Sequence, residues 1–154
     1  MTHLLDDTGL LSQADPKGMM TLTLDFPAQC ERAYQIASQF SLPSLPRTPR
    51  LVVVCGMGGS AIGGDYLRAL FEAYGNIPVL VVRDYHLPQC VDAGSLVFAV
   101  SYSGNTEETL SCYREAHARG AMILTLSSGG ELQERASADG YPHLQVPGGQ
   151  PPRT

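Results

Sequence analysis

Short apolar runs recur along the chain, each followed by a glycine-rich or polar break and then a stretch with helical spacing. Leu51 to Cys55 reads Leu-Val-Val-Val-Cys, a continuous β-branched run that fits a strand buried on both faces. Pro78 to Val82, Leu96 to Val100 and Ala121 to Leu126 repeat the pattern, and His143 to Val146 makes a short fifth strand. Between them, Tyr66, Leu67, Leu70, Phe71 and Tyr74 mark a helical stripe that ends at Gly75-Asn76. A second helix is predicted from Thr106 to about Ala118, with Gly120 at its end, and a third from Gly129 to Ala138. Arg83 to Ser95 contains Pro88 and is too broken for a long helix. Strands alternating with helices predict an α/β protein, a three-layer αβα sandwich on a five-stranded parallel sheet of flavodoxin-like order 2-1-3-4-5.

The flanks read differently. Residues 1–25 are mixed and contain Pro16 and Gly18, which leaves a lead-in with at most a short helix. Phe26-Pro27 opens a helix carrying Cys30, Ala33, Tyr34, Ala37 and Phe40 at helical spacing, with Pro27 suited to its first turn. Pro43, Pro46 and Pro49 make Ser41 to Arg50 a linker, since three prolines permit neither helix nor central strand. The tail from Pro147 is too rich in Pro and Gly to pack by itself. The expected organisation is a lead-in and linker over 1–50, the α/β domain over 51–147 and a tail over 148–154.

Composition narrows the partners. Of 154 residues, 44% are hydrophobic and 16% charged, enough for one buried core and unlike a disordered chain. The net charge is −5 with no basic run, which argues against nucleic acid. Cys30, Cys55, Cys90 and Cys112 stand far apart with no metal-type spacing, and the four histidines show none either. The N-terminus carries Asp6 and Asp7 and no long apolar segment, and no run approaches a membrane span. A reducing, cytoplasmic setting is expected, without membrane contact.

Two breaks carry candidate chemistry, and both follow strands that the predicted order makes neighbours. After the third strand comes Ser101-Tyr102-Ser103-Gly104-Asn105-Thr106-Glu107-Glu108-Thr109. Ser101, Ser103 and Thr106 surround Gly104, which tolerates a positive φ and close approach of a ligand. Asn105 and Glu108 have the spacing of a capping box, which starts the helix at Thr106. Hydroxyls and unpaired amides at a helix N-terminus form a phosphate site without lysine. Glu107 and Glu108 there favour the helix dipole, and the same holds for Asp65 in its helix. An ordinary Ser/Gly/Asn turn would read the same over these nine residues. After the first strand, Gly56, Gly58 and Ala61 match G-x-G-x-x-A, a dinucleotide fingerprint or a tight packing turn. Against a nicotinamide cofactor, the second strand ends in Val82-Arg83-Asp84, where Arg83 would suit a 2′-phosphate if anything. No Gly-Lys-Ser/Thr occurs, so there is no P-loop.

Taken together, Gly56-Met57-Gly58-Gly59-Ser60, Ser101 to Thr109, Arg83-Asp84-Tyr85 and Pro151-Pro152-Arg153 resemble the sugar isomerase (SIS) domain family. The similarity is to the N-terminal half of its bifunctional phosphoglucose/phosphomannose isomerases. The resemblance implies that Ser60, Ser101, Ser103 and Thr106 bind the phosphate of a hexose 6-phosphate. It implies that Gly58 and Gly59 let backbone approach the sugar, and that Arg153 is catalytic, stabilising the enediolate formed between C1 and C2. No metal and no cofactor are implied. Family members carry a second SIS domain with a glutamate base and a histidine, and homodimerise. This chain ends one residue after Arg153, so it is expected to be a fragment that does not turn over substrate alone. Two other readings stay open: a sugar-phosphate-sensing module without chemistry, and an NAD(P)-binding domain.

Overall fold

The computed structural model describes residues 7–149, so Arg153, Pro151 and Pro152 lie outside the described residues, as does His3. The described residues divide into two compact units, 7–39 and 40–149.

The first unit contains α1 (Thr8–Ala14), α2 (Met19–Leu24) and α3 (Phe26–Gln39). Two helices thus stand where at most one was predicted. Aspartates account for both. Asp7 Oδ1 accepts the amides of Gly9 and Leu10 at 3.0 and 3.1 Å at the start of α1. The Asp15 carboxylate accepts those of Met19 and Met20 at 2.8 Å each at the start of α2. Each bond satisfies an amide that a helix start leaves unpaired. The two amides, Met20 first, also hold the Asp15 carboxyl below its ordinary range. α3 forms where Phe26-Pro27 and the apolar spacing predicted it, yet none of its residues is buried.

The second unit is the α/β sandwich. Its strands are β1 (Leu51–Cys55), β2 (Val79–Val82), β3 (Ser95–Val100), β4 (Met122–Ser127) and β5 (His143–Gln145). They form one sheet in the order β2-β1-β3-β4-β5, and every pairing is parallel. The predicted order and strand direction are those observed. The helices are α4 (Gly59–Tyr74), α5 (Glu107–Ala118) and α6 (Gly130–Asp139).

Side chains alternate across each strand, so β1 feeds two cores. Val53 and Cys55 join Val97 and Ala99 beneath Leu110, Cys112, Tyr113 and Ala116 of α5 and Leu132 of α6. Val52 and Val54 join Val79 on the other face, against Leu67 and Phe71 of α4. The predicted stripe of α4 therefore splits. Leu67 and Phe71 face the sheet, while Tyr66, Leu70 and Tyr74 point outward, 71%, 57% and 88% exposed. Cys55 is fully buried core. Its hydrogen bond to the Cys112 thiol and its burial hold the Cys55 thiol far above the ordinary range, so it stays neutral.

β1 and β3 are paired, Cys55 opposite Ala99. β1 leads into α4 on one face and β3 into α5 on the other. This divergence opens a crevice at the carboxyl ends of the two strands, where ligands bind in open α/β sheets.

Candidate functional site

Both walls of the crevice are built from the loops singled out in the sequence. After β1, Gly56 turns the chain and Gly58 takes a φ of 51° before α4 begins at Gly59. A side chain at Gly58 or Gly59 would meet nothing within 4 Å, so open space lies over both backbones. Ser60 and Ala61 donate their amides back to the Met57 and Gly58 carbonyls at 3.0 and 3.2 Å, which fixes the turn. Ser60 is thereby held in the first turn of α4, half-buried.

After β3, the fate of each hydroxyl differs. Ser101 is 1% exposed. Its Oγ shares a hydrogen bond of 2.8 Å with Thr106 Oγ1 and accepts the amides of Gly104 and Thr106 at 3.1 and 3.4 Å. Ser101 thus ties the loop into a ring. Ser103 is exposed, with Oγ accepting only the Asn105 amide at 3.2 Å. Thr106 is the N-cap of α5, yet its side chain makes no cap bond, being turned to Ser101. The first amides of α5 are thus uncapped by Thr106, and they carry the positive end of the helix dipole. Ser101, Ser103 and Thr106 stand in one loop, and Ser60 stands at the head of the neighbouring one.

The predicted capping box does not form. α5 starts at Glu107, and the Asn105 side chain leaves for another helix. Its Oδ1 accepts the Glu131 amide of α6 at 3.0 Å. With it comes a third loop, Ser127-Ser128-Gly129-Gly130, which the sequence reading passed over. The Leu132 amide donates to the Gly104 carbonyl at 2.9 Å, and Ser128 donates both its amide and its Oγ to the Tyr102 carbonyl at 2.9 and 2.7 Å. A side chain at Gly104 would lie 1.8 Å from the Gly129 carbonyl oxygen. The signal was present: two serines and two glycines at a strand-to-helix junction repeat the chemistry of the other two loops.

Charged groups rim the crevice beside β2. Arg83 pairs with Asp65 of α4. Asp65 therefore meets a cation rather than the first turn of its helix, and Arg83 is engaged, not free for a 2′-phosphate. Tyr85 Oη donates to Glu107 Oε2 at 3.2 Å. The negative charge of Glu108, with partial burial and the Glu107 bond, pushes the Tyr85 phenol above its ordinary range. Further down α5, His86 Nδ1 lies 2.7 Å from Glu115 Oε1, and Glu115 Oε2 accepts from the Leu87 amide and Arg119. The His86 bond, then the Leu87 amide and the Arg119 charge, hold the Glu115 carboxyl below its usual value against the opposing effect of burial.

A separate hollow of about 300 Å³ lies at the amino-terminal end of β4, lined by Pro43, Pro46, Met122, Ile123 and Tyr141 among others. Its lining holds no acid–base pair. Among the described residues no three His, Cys, Asp or Glu side chains gather as a metal site, and no helix is long and apolar enough to cross a membrane.

An open parallel sheet with loops gathered at its switch point is the α/β class whose ligands bind at the carboxyl ends of the strands. The particular family follows from comparison: residues 47–140 match the model of the SIS domain, and the chain belongs to that family. A bifunctional phosphoglucose/phosphomannose isomerase of Caldicellulosiruptor bescii is 45% identical over 135 residues, covering 88% of this chain and 40% of the relative. That of Aquifex aeolicus is 50% identical over 103 residues, covering 66% and 32%. The chain thus spans well under half the length of these relatives. Among solved structures, tagatose-6-phosphate ketose/aldose isomerase from Escherichia coli superimposes with a TM-score of 0.55 at 20% identity, over 66% of this chain and 30% of that one. At these identities such superpositions speak to the fold.

Proposed function

We propose that this chain is the sugar-phosphate-binding unit of an aldose–ketose isomerase that interconverts glucose 6-phosphate or mannose 6-phosphate with fructose 6-phosphate. The observation that carries the reading is the Ser101–Thr106 ring beneath α5. It turns the Thr106 side chain away from the helix end and leaves the first amides of α5 for a dianion, with Ser103 beside them and Ser60 across the crevice. Helix N-termini bind phosphate by this combination of amides and dipole. The open space over Gly58 and Gly59 supports a sugar ring lying against that backbone. The names of the two relatives support the substrate class.

In this reading Arg153 stabilises the enediolate, and the remaining length of the isomerase provides a second SIS domain with the base that moves the proton between C1 and C2. A guanidinium suits that role because it is always charged. The whole protein is read as a cytoplasmic homodimer. The outward apolar side chains Tyr66, Leu70 and Tyr74 of α4 support burial against another SIS unit, and four free thiols suit a reducing compartment. No metal or redox cofactor enters the reaction.

Thermal unfolding with fructose 6-phosphate, fructose and NADPH tests the reading. At 100 times its dissociation constant, fructose 6-phosphate is expected to stabilise the chain by about 2.7 kcal/mol. Equal stabilisation by fructose would remove the phosphate site, and stabilisation by NADPH alone would replace this reading with a dinucleotide one.

A further inference from the structure

The loop after β3 would hold the phosphate, and it takes its shape from bonds within itself and from bonds to a neighbouring segment. Its two ends are tied internally by Ser101. Its apex, residues 102–105, is tied within the loop by the Gly104 and Asn105 backbone amides and across to the segment after β4 by further bonds. Four bonds from three residues converge there: Glu131 N–H to Asn105 Oδ1, Leu132 N–H to the Gly104 carbonyl, and the Ser128 amide and Oγ to the Tyr102 carbonyl. The fit is close enough that a side chain at Gly130 would lie 2.5 Å from the Ser103 carbonyl and 2.8 Å from Asn105 Oδ1.

The Asn105 side chain reaches from the apex across to α6. It caps α6, whose own N-cap residue, Gly129, has no side chain to do so. A side-chain oxygen at this point satisfies an amide that would otherwise lack a partner, so the bond ties loop shape to helix stability. The Asn105 amide in turn donates to Ser103 Oγ, so the residue that grips α6 also orients the exposed hydroxyl.

We propose that Asn105 is the positioning residue of the phosphate site. It latches the loop after β3 onto the N-terminus of α6 and thereby sets where Ser103 and the first amides of α5 meet the ligand. Asn105 itself makes no contact with the ligand. The Gly129-Gly130 pair is the seat that lets the latch close. The inference rests on the sugar-phosphate reading for its ligand and on the α6 contact alone for its mechanism.

The experiment compares the whole chain with Asn105→Ala, Asn105→Asp and Gly130→Ala. Fructose 6-phosphate affinity is read by calorimetry, and amide exchange at Glu131 and Leu132 by NMR. Asn105→Ala is expected to weaken binding about tenfold or more, since misplacement of donors by a fraction of an ångström is costly. It should also speed exchange at Glu131. Asn105→Asp keeps an acceptor for the Glu131 amide and should restore the protection, while its negative charge beside the proposed phosphate lowers affinity. Gly130→Ala, whose added carbon would press on the Ser103 carbonyl and on Asn105 Oδ1, pushes the two loops apart and should weaken binding as Asn105→Ala does. Unchanged affinity in Asn105→Ala, or exchange at Glu131 as fast in Asn105→Asp as in Asn105→Ala, overturns the proposal. Should Asn105→Ala fail to fold, the Asn105→Asp and Gly130→Ala results decide it. If the unmutated chain binds no fructose 6-phosphate, the substrate reading fails, and the exchange rates alone decide whether the latch exists.

Discussion

Ser101 Oγ and Thr106 Oγ1 lie 2.8 Å apart, and this bond makes the serine a structural member of the loop as well as a candidate ligand residue. Ser101 also accepts two amides from a fully buried position. Ser101→Ala should therefore lower stability by about 1–3 kcal/mol, the cost of leaving buried donors unsatisfied, and weaken phosphate binding with it. Urea denaturation and calorimetric titration on the same preparation check both effects.

Ser103→Ala should separate them. Its hydroxyl is exposed and accepts only one local amide. Loss of a hydrogen bond to a charged phosphate costs roughly 1.5–3 kcal/mol of affinity, while stability should stay within about 0.5 kcal/mol. An affinity equal to that of the unmutated chain would reduce Ser103 to a turn residue.

Gly104→Ala and Gly120→Ala should differ sharply although both glycines have positive φ, 74° and 66°. At Gly120 the nearest atom to an added side chain is 4.0 Å away, so the cost is the backbone strain alone, about 1–2 kcal/mol. At Gly104 the added carbon would overlap the Gly129 carbonyl oxygen at 1.8 Å. Strain and overpacking together should cost about 3 kcal/mol or more there. Denaturation midpoints of the two variants give the comparison.

His143 provides a pH test. Burial lowers its pKa from 6.5, and its Nδ1 shares a hydrogen bond of 2.8 Å with the buried Thr125 hydroxyl. Protonation is harder in the folded than in the unfolded chain, so below 6.5 the unfolded chain takes up more protons. The contribution is complete above that pH and is lost as pH falls through the folded value. NMR titration should place the His143 midpoint below 6.5. His143→Gln should flatten the stability profile between neutral pH and that midpoint.

Residues 1–154 are expected to bind fructose 6-phosphate without converting it. A general base must reach the C1/C2 proton with a pKa near the working pH. Glu115 is held below its usual value by His86, Leu87 and Arg119, and Glu107 is occupied by Tyr85 beside the proposed phosphate. A coupled assay reads turnover directly. Activity in the isolated chain that disappears on mutating one of its own glutamates would locate a base within it.

The sequence by itself determined the α/β architecture and the sheet order, because both rest on local information. Valine-rich runs such as Leu51–Cys55 can be satisfied only by burial on both faces, and glycines and hydroxyls mark where each strand turns into a helix. The two loops of the candidate site were legible for the same reason. Tertiary structure decided the partners across those loops. Asn105 had a local partner on offer in Glu108, yet its side chain is taken by an amide 26 residues away. Likewise nothing in the α4 stripe says which of its large side chains face the sheet. Leu67 and Phe71 pack against Val52 and Val54 while Tyr66, Leu70 and Tyr74 turn outward, since only the docked helix fixes the rotation about its axis. Hydrogen bonds and packing contacts between segments distant in the chain leave no periodicity to read, and it is these that shape the loop after β3.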